Sequence, residues 1–150
     1  MEIISFYKND RQQHWLEEIG KSDWRAGQYL HEILSKGSFH DLTGEGSELL
    51  LLTDGDHLVS FCTYAERDEV ASNEYSPWIG FVYTFPKYRG HRYMGLLFEK
   101  IEDLAKKQNI PDVYISTDHI GLYEKYGFEY IKDMETIYGD ISRVYVKHIK

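Results

Sequence analysis

"PKYRGHRYMG", residues 86–95, sets four basic side chains (Lys87, Arg89, His91 and Arg92) around a glycine, Gly90. It lies between an apolar run, "WIGFVYTF", and a helical pattern, "LLFEKIEDLAKKQ". A strand that ends in a turn and starts a helix leaves the first backbone N–H groups without partners, at the positive end of the helix. Phosphate satisfies both the donors and the charge. Gly90 permits close approach, Arg89 can hold the loop or reach an oxygen, and Arg92 can lie beside the phosphates as a further cation. Met94 can turn inward with the helix's apolar stripe. The competing reading is a surface turn that carries basic residues.

Other reactive residues are less specific. Glu66, Asp68, Glu69 and Glu74 precede the apolar run and read as a solvated acidic loop, one member of which can bind a cationic acceptor. With 13 tyrosines in the chain, no phenol stands out by type alone. Cys62 sits in an apolar stretch without a nucleophile signature and reads as a buried thiol. The 7 histidines lack metal-ligand spacing, so no metal is expected, and no Gly-Lys-Ser/Thr follows a glycine loop to suggest nucleotide hydrolysis.

These residues need elements to hold them. "EIISFY" reads as a first strand, and residues 9–36 carry Trp15, Ile19, Trp24, Tyr29, Leu30, Ile33 and Leu34 at helical spacing. "IGKSDW" should split them into two helices, with Ser22 or Asp23 as the second N-cap. "SELLLLTDGDHLVSFCTYAE" predicts a hairpin whose Asp54-Gly55 supplies positive φ angles. "SPWIGFVYTF" predicts a further strand, in which Gly80 marks a bulge or a close backbone approach. Met94, Leu97, Ile101 and Leu104 predict a helix ending near Asn109 and Pro111. "DVYIST", a short helix "GLYEKY" closed by Gly127, and the strands "FEYIKDMETIY" and "SRVYVKHI" complete the order β-αα-β-β-β-α-β-α-β-β. That is an α+β layout of three layers, with helices flanking a mixed, mostly antiparallel central sheet of about seven strands.

At 150 residues the chain suits one domain, residues 1–150, able to bury roughly 70% of its unfolded surface. A net charge of −8 disfavours nucleic acid and suits a cationic small molecule. One cysteine excludes an internal disulfide, and "MEIISFYKND" lacks the basic and apolar regions of a signal peptide. No apolar stretch is long enough to span a bilayer, so no membrane partner and a cytoplasmic location are expected.

"FVYTFPKYRGHRYMGLLFEKI" followed by "ISTDHIGLYEKYGFEYI" resembles the GCN5-related N-acetyltransferase (GNAT) superfamily, whose members bind acetyl-coenzyme A. The family's loop motif is Arg/Gln-x-x-Gly-x-Gly/Ala, and a later helix has the form x-Tyr-Glu-Lys-x-Gly-Phe. Arg89 and Gly90 match, whereas Arg92 stands for the first motif glycine and Met94 for the final small residue. The resemblance implies the acyl-CoA N-acyltransferase fold and direct acetyl transfer from acetyl-CoA to a small-molecule or peptide amine, without a metal. It implies that Arg89, Gly90, His91, Arg92, Tyr93, Met94 and Gly95 cradle the pyrophosphate. Main-chain groups of Phe81, Val82 and Tyr83 would meet the acetyl oxygen and the pantetheine arm, unless that stretch is a continuous buried strand. Tyr123 occupies the position of the family's general acid, a role compatible with packing on its helix; Tyr126 reads as packing. Where some relatives carry a basic glutamate this chain has about Ser76, so no base carries over. A homodimer is common on this fold. A sensor or interaction module that binds acyl-CoA without turnover fits the same motifs.

Overall fold

The computed structural model describes residues 1–150. Seven strands form one sheet: β1 (Glu2–Ser5), β2 (Glu48–Asp54), β3 (His57–Ala65), β4 (Trp78–Thr84), β5 (Asp112–Thr117), β6 (Glu129–Glu135) and β7 (Ile141–His148). Their order is β1-β2-β3-β4-β5-β7-β6, antiparallel throughout except for β4 beside β5. The helices are α1 (Gln12–Ile19), α2 (Arg25–Ser35), α3 (Phe39–Thr43) and α4 (Met94–Lys107). Three 3₁₀ turns, Phe6–Lys8, Pro86–Tyr88 and Tyr123–Tyr126, complete the path. No helix is long and apolar enough to cross a membrane.

The central strands read as unbroken apolar runs because both faces of the sheet are covered. In β2, Leu50 and Leu52 face a cluster with Leu97, Phe98, Ile101 and Ala105 of α4. Leu49 and Leu51 face the opposite cluster, with Trp15, Ile19, Leu30 and Phe39 from the first three helices. Neighbours along a strand point to opposite faces, so four successive leucines serve both layers. Cys62 is buried in the α4-side cluster, as its apolar surroundings predict.

Three local expectations need correction. The second helix takes neither Ser22 nor Asp23 as its N-cap; Trp24 holds that position without a side-chain bond. Asp23 instead accepts from the Tyr83 hydroxyl at 2.5 Å, and the Ser22 side chain is buried. In the β2–β3 hairpin only Gly55 has a positive φ (61°); Asp54 still belongs to the strand, paired with His57. The five-residue α3 has no counterpart in the expected order, since it is too short to show a period.

The α4 cap matches its sequence signals. Asn109 adopts a left-handed φ of 57°, and the Ile110 N–H donates back to the Ala105 carbonyl at 2.9 Å. Leu97 is fully enclosed between this helix and the sheet. Leu97→Ala should lower unfolding free energy by about 3 kcal/mol in urea titrations, through lost burial plus the cavity left behind.

Candidate active site

The site begins where two neighbouring strands part. β4 and β5 pair only at Trp78↔Tyr114 and Ile79↔Ile115. Beyond Ile79 the main-chain groups of β4 that face β5 have no strand partner. On its other side β4 pairs Gly80 with Thr63 and Tyr83 with Phe61, so Phe81 and Val82 together oppose Cys62 alone. This is a bulge, and Phe81 absorbs it with a φ of 49°. The stretch is therefore no continuous buried strand.

Gly80 has a different task from the bulge first assigned to it, and meets the alternative expectation of a close approach. A Cβ placed there would overlap the Asp68 carboxyl and come within 3.0 Å of Thr63 Oγ1. Asp68 belongs to the loop between β3 and β4, which is tied down from three sides. The Arg67 N–H donates to the Thr43 carbonyl at 3.0 Å, and its guanidinium donates to the carbonyls of Asp41 and Leu42. Ser116 on β5 donates to Glu69 Oε1 at 2.8 Å, and the Ile137 N–H to the Glu69 carbonyl at 2.7 Å. Asp68 itself has no cation within ion-pair distance. Loss of hydration, helped by the charge of Glu69, pushes its carboxyl up to about 7.

Asp68 and Glu69 line a cavity of about 370 Å³ that occupies the gap between β4 and β5. Phe81 and Val82 form one wall, Ile115 and Thr117 another, and Trp24, Tyr29 and Tyr138 enclose its outer part. Tyr123 lines it too. This tyrosine is 5% exposed, packs against Phe98 and Phe128, and donates to no group in the protein. Burial raises its pKa, so the phenol is protonated at neutral pH. Gly127, at φ 91°, ends the turn that carries it, and the Phe128 N–H closes back on the Tyr123 carbonyl at 3.3 Å. Of the four acids on the loop, Glu66 and Glu74 are exposed and lie beside Arg67 and Lys132. Their sequence neighbourhood did not distinguish them from Asp68 and Glu69; the third dimension does.

A second cavity, of about 310 Å³, opens at the N-terminus of α4. Arg89, Gly90, Arg92, Tyr93 and Met94 line it, together with Tyr88, Lys125 and Tyr126. The main-chain N–H groups of Gly90, His91, Arg92 and Tyr93 donate to nothing in the protein. No acidic residue occupies the first turn of α4. Such a terminus has the donors and the sign to hold an anion. His91 and Gly95 fall outside the cavity lining. Gly95 leaves room for Tyr126, whose ring would stand 3.1 Å from a Cβ there.

Arg92 shows how the loop manages without its motif glycine. Its backbone keeps a left-handed φ of 58°, a conformation that costs a non-glycine residue about 1–2 kcal/mol. The guanidinium rests 5.0 Å above the Tyr126 ring and donates to the Lys125 carbonyl at 3.2 Å. It thus crosses to the wall opposite and leaves the cavity open. Arg89 holds the loop, donating to the Thr84 carbonyl at 2.8 Å. Met94 packs against the α4-side core, as its place in the stripe predicts. The Tyr83 side chain faces the other layer, so only its main chain is available to a ligand in the gap.

A family model described as "Acetyltransferase (GNAT) family" matches residues 6–128, and the chain belongs to that family. Among solved structures, it is similar to an acetyltransferase from Streptococcus agalactiae, with 20% identity and a TM-score of 0.68 over 98% of this chain and 97% of that one. It also resembles the aminoglycoside 6'-N-acetyltransferase from Enterococcus faecium (13% identity, TM-score 0.69, 100% and 98% covered). A third is an aminoglycoside 6'-N-acetyltransferase complexed with coenzyme A (12% identity, TM-score 0.69, 100% and 98% covered). No curated protein matches the sequence.

The raised carboxyl of Asp68 has a consequence for stability. An ordinary aspartate ionises near ~3.9 in the unfolded chain, so between there and about 7 the folded protein binds more protons. Stability should fall as pH rises through that window. Asp68→Asn should flatten the slope, measured as urea midpoints at pH 4.5, 6 and 7.5, values chosen to bracket roughly the two ionisations.

Proposed function

We propose that the protein transfers an acetyl group from acetyl-CoA to a primary amine of a small cationic acceptor, directly, with both substrates bound. The observation that carries this reading is the row of four unpartnered N–H groups at residues 90–93, which opens on a cavity walled by Arg92 and Lys125. A diphosphate satisfies those donors; another protein segment would need a run of carbonyls to do the same. From there the gap between β4 and β5 leads inward to Tyr123. The β4 main chain beyond Ile79 offers amide groups to a peptide-like arm, as a strand would. The coenzyme supplies an activated acyl group on sulfur.

The protein's own part is positioning, charge and proton supply. N–H donors at the bulge, around Phe81 and Val82, suit an acyl oxygen that gains charge as the carbon is attacked. The Tyr123 phenol is held neutral by burial and can give its proton to the departing sulfur. Acceptor binding falls to the larger cavity, whose carboxylates Asp68, Glu69 and Asp118 outnumber its cations. An ammonium beside aromatic walls and carboxylates is favoured twice, by charge and by ring faces. The aminoglycosides in the names of the similar structures are compounds of this kind.

Titration of acetyl-CoA by calorimetry, followed by thiol release on a panel of polyamines, aminoglycosides, amino acids and peptides, tests the reading. Binding with turnover on a cationic amine is expected; binding without any turnover favours the sensor, and no binding ends both. Tyr123→Phe should lower kcat by roughly 10²-fold while leaving coenzyme affinity unchanged. Equal kcat would remove the acid role. Arg92→Ala should weaken coenzyme binding by about tenfold, the loss of one charge-assisted contact, and unchanged affinity would return Arg92 to a bracing role on Tyr126.

A further inference from the structure

The amine that attacks must be neutral, yet a cationic acceptor arrives as an ammonium ion. Something in the larger cavity has to take a proton. We propose that Asp68 is that group, the general base of the transfer; this rests on the acetyl-transfer reading above. Its Oδ1 lies against the Cα of Gly80, one residue before the bulge where the acyl group would sit. Thr63 Oγ1, fully buried and without a partner, fills the same corner. A carboxylate that has lost water and gained no cation is costly in a folded protein. An arriving ammonium removes that cost, and handing over its proton removes it again.

The other ionisable groups of the cavity are anchored elsewhere, phenolic or exposed to water. Glu69 accepts from Ser116 and is part of the loop's anchorage. Arg67 is turned to the α3 carbonyls. From α2 and the β6–β7 turn, Tyr29 and Tyr138 face Asp68 as phenols, with that of Tyr138 raised by burial. After β5, Asp118 and His119 are exposed, and the His119 ring faces Tyr123 at 6.4 Å between centroids. Tyr123 serves the sulfur side. Asp68 alone combines proximity to the bulge with burial and a carboxyl that accepts from the Glu69 N–H but pairs with no cation.

The protons then balance. The ammonium loses one proton to Asp68, which returns it to solvent. The nitrogen lone pair forms the C–N bond to the acyl carbon and the C–S bond breaks, its electron pair leaving on sulfur. Sulfur takes the Tyr123 proton, and the second nitrogen proton restores the phenol. The products are a neutral amide and a thiol. Gly80 is required because any side chain there would push the carboxyl away.

The test uses the full chain, with Asp68→Asn and Gly80→Ala beside the wild type. Two amines are compared, an alkylamine protonated at pH 7 and a fluorinated alkylamine already neutral there. For the first, kcat/KM of both variants should fall by 10²-fold or more, a general-base effect in scale. The defect should shrink at least about tenfold for the neutral amine, and the acidic limb of the wild-type pH profile should vanish in Asp68→Asn. Acetyl-CoA affinity by calorimetry should stay within about twofold, since neither change touches the α4 loop. An equal defect with both amines, a retained limb, or loss of coenzyme binding would make Asp68 an attractor or a structural residue and overturn the proposal. A wild type that binds acetyl-CoA and acetylates no amine would overturn the transfer reading itself, and the base with it.

Discussion

A mid-sheet strand must give its main-chain groups to something, and beyond Ile79 β4 gives those on its β5 side to no strand. Its pairing with β5 ends after two residue pairs, Trp78↔Tyr114 and Ile79↔Ile115. Unpaired backbone groups in a protein interior are expensive enough that nearly all are satisfied. The fold keeps these open by lining the gap with a cavity rather than closing it with side chains. The bulge at Phe81 and Val82 drives the parting, because two residues against one bend the strand away from its neighbour. Everything else in the site is arranged around that opening: α4 starts at one end of it, Tyr123 reaches it from the turn after β5, and the acidic loop closes its far side.

Keeping a gap open in a protein of this size demands rigidity on either side. Two apolar layers supply it, one under α4 and one under the first three helices. The sheet between them is clamped by long antiparallel pairings, β2 with β3 and β5 with β7. Apart from Asn109, which ends α4, the non-glycine residues with left-handed backbone are Phe81 and Arg92. One sits at the bulge and the other at the anion loop. A conformation costing about 1–3 kcal/mol persists only where the surroundings over-determine it. At Arg92 the Tyr126 ring and the Lys125 carbonyl do so.

The sequence made the large features legible because they rest on local patterns. The run of four leucines reads as a strand because Asp54-Gly55 turns it back onto a second apolar run, and Met94, Leu97, Ile101 and Leu104 recur at helical spacing. The basic loop and the Tyr-Glu-Lys motif were legible for the same reason, each being contiguous. What failed was whatever depends on distant partners. Asp23 looked like a cap, but Tyr83, sixty positions on, claims its carboxylate. Gly80 could be read as a bulge or as a close approach, and only the fold decides: the bulge falls at Phe81 and Val82, and the missing side chain of Gly80 makes room for Asp68. Nothing in "ERDEV" separates Asp68 from Glu66, since both are acids on one loop. Their fates diverge because the loop is pinned to α3, β5 and the β6–β7 turn, which buries one carboxyl and leaves the other in water.

The two cavities divide the electrostatics of the protein in a way that its net charge conceals. A chain of formal charge −8 should repel a polyanion, and the α4 loop overcomes this only locally, with Arg89, Arg92 and Lys125 around unpaired amides. The field of the remainder acts on the other side, where carboxylates outnumber cations. An anionic donor and a cationic acceptor would therefore enter from regions of opposite potential and meet at the bulge. In that reading buried Tyr123 would stand at the meeting point, with a proton that burial keeps in place. A phenol so held gives its proton reluctantly to sulfur, because the phenolate left behind is poorly solvated. In the proposed reaction, transfer would become favourable only when nitrogen returns a proton in the same step. On the acetyl-transfer reading, the burial that keeps the phenol neutral would also tie departure of the thiol to formation of the amide, disfavouring release of sulfur to water when no amine is bound.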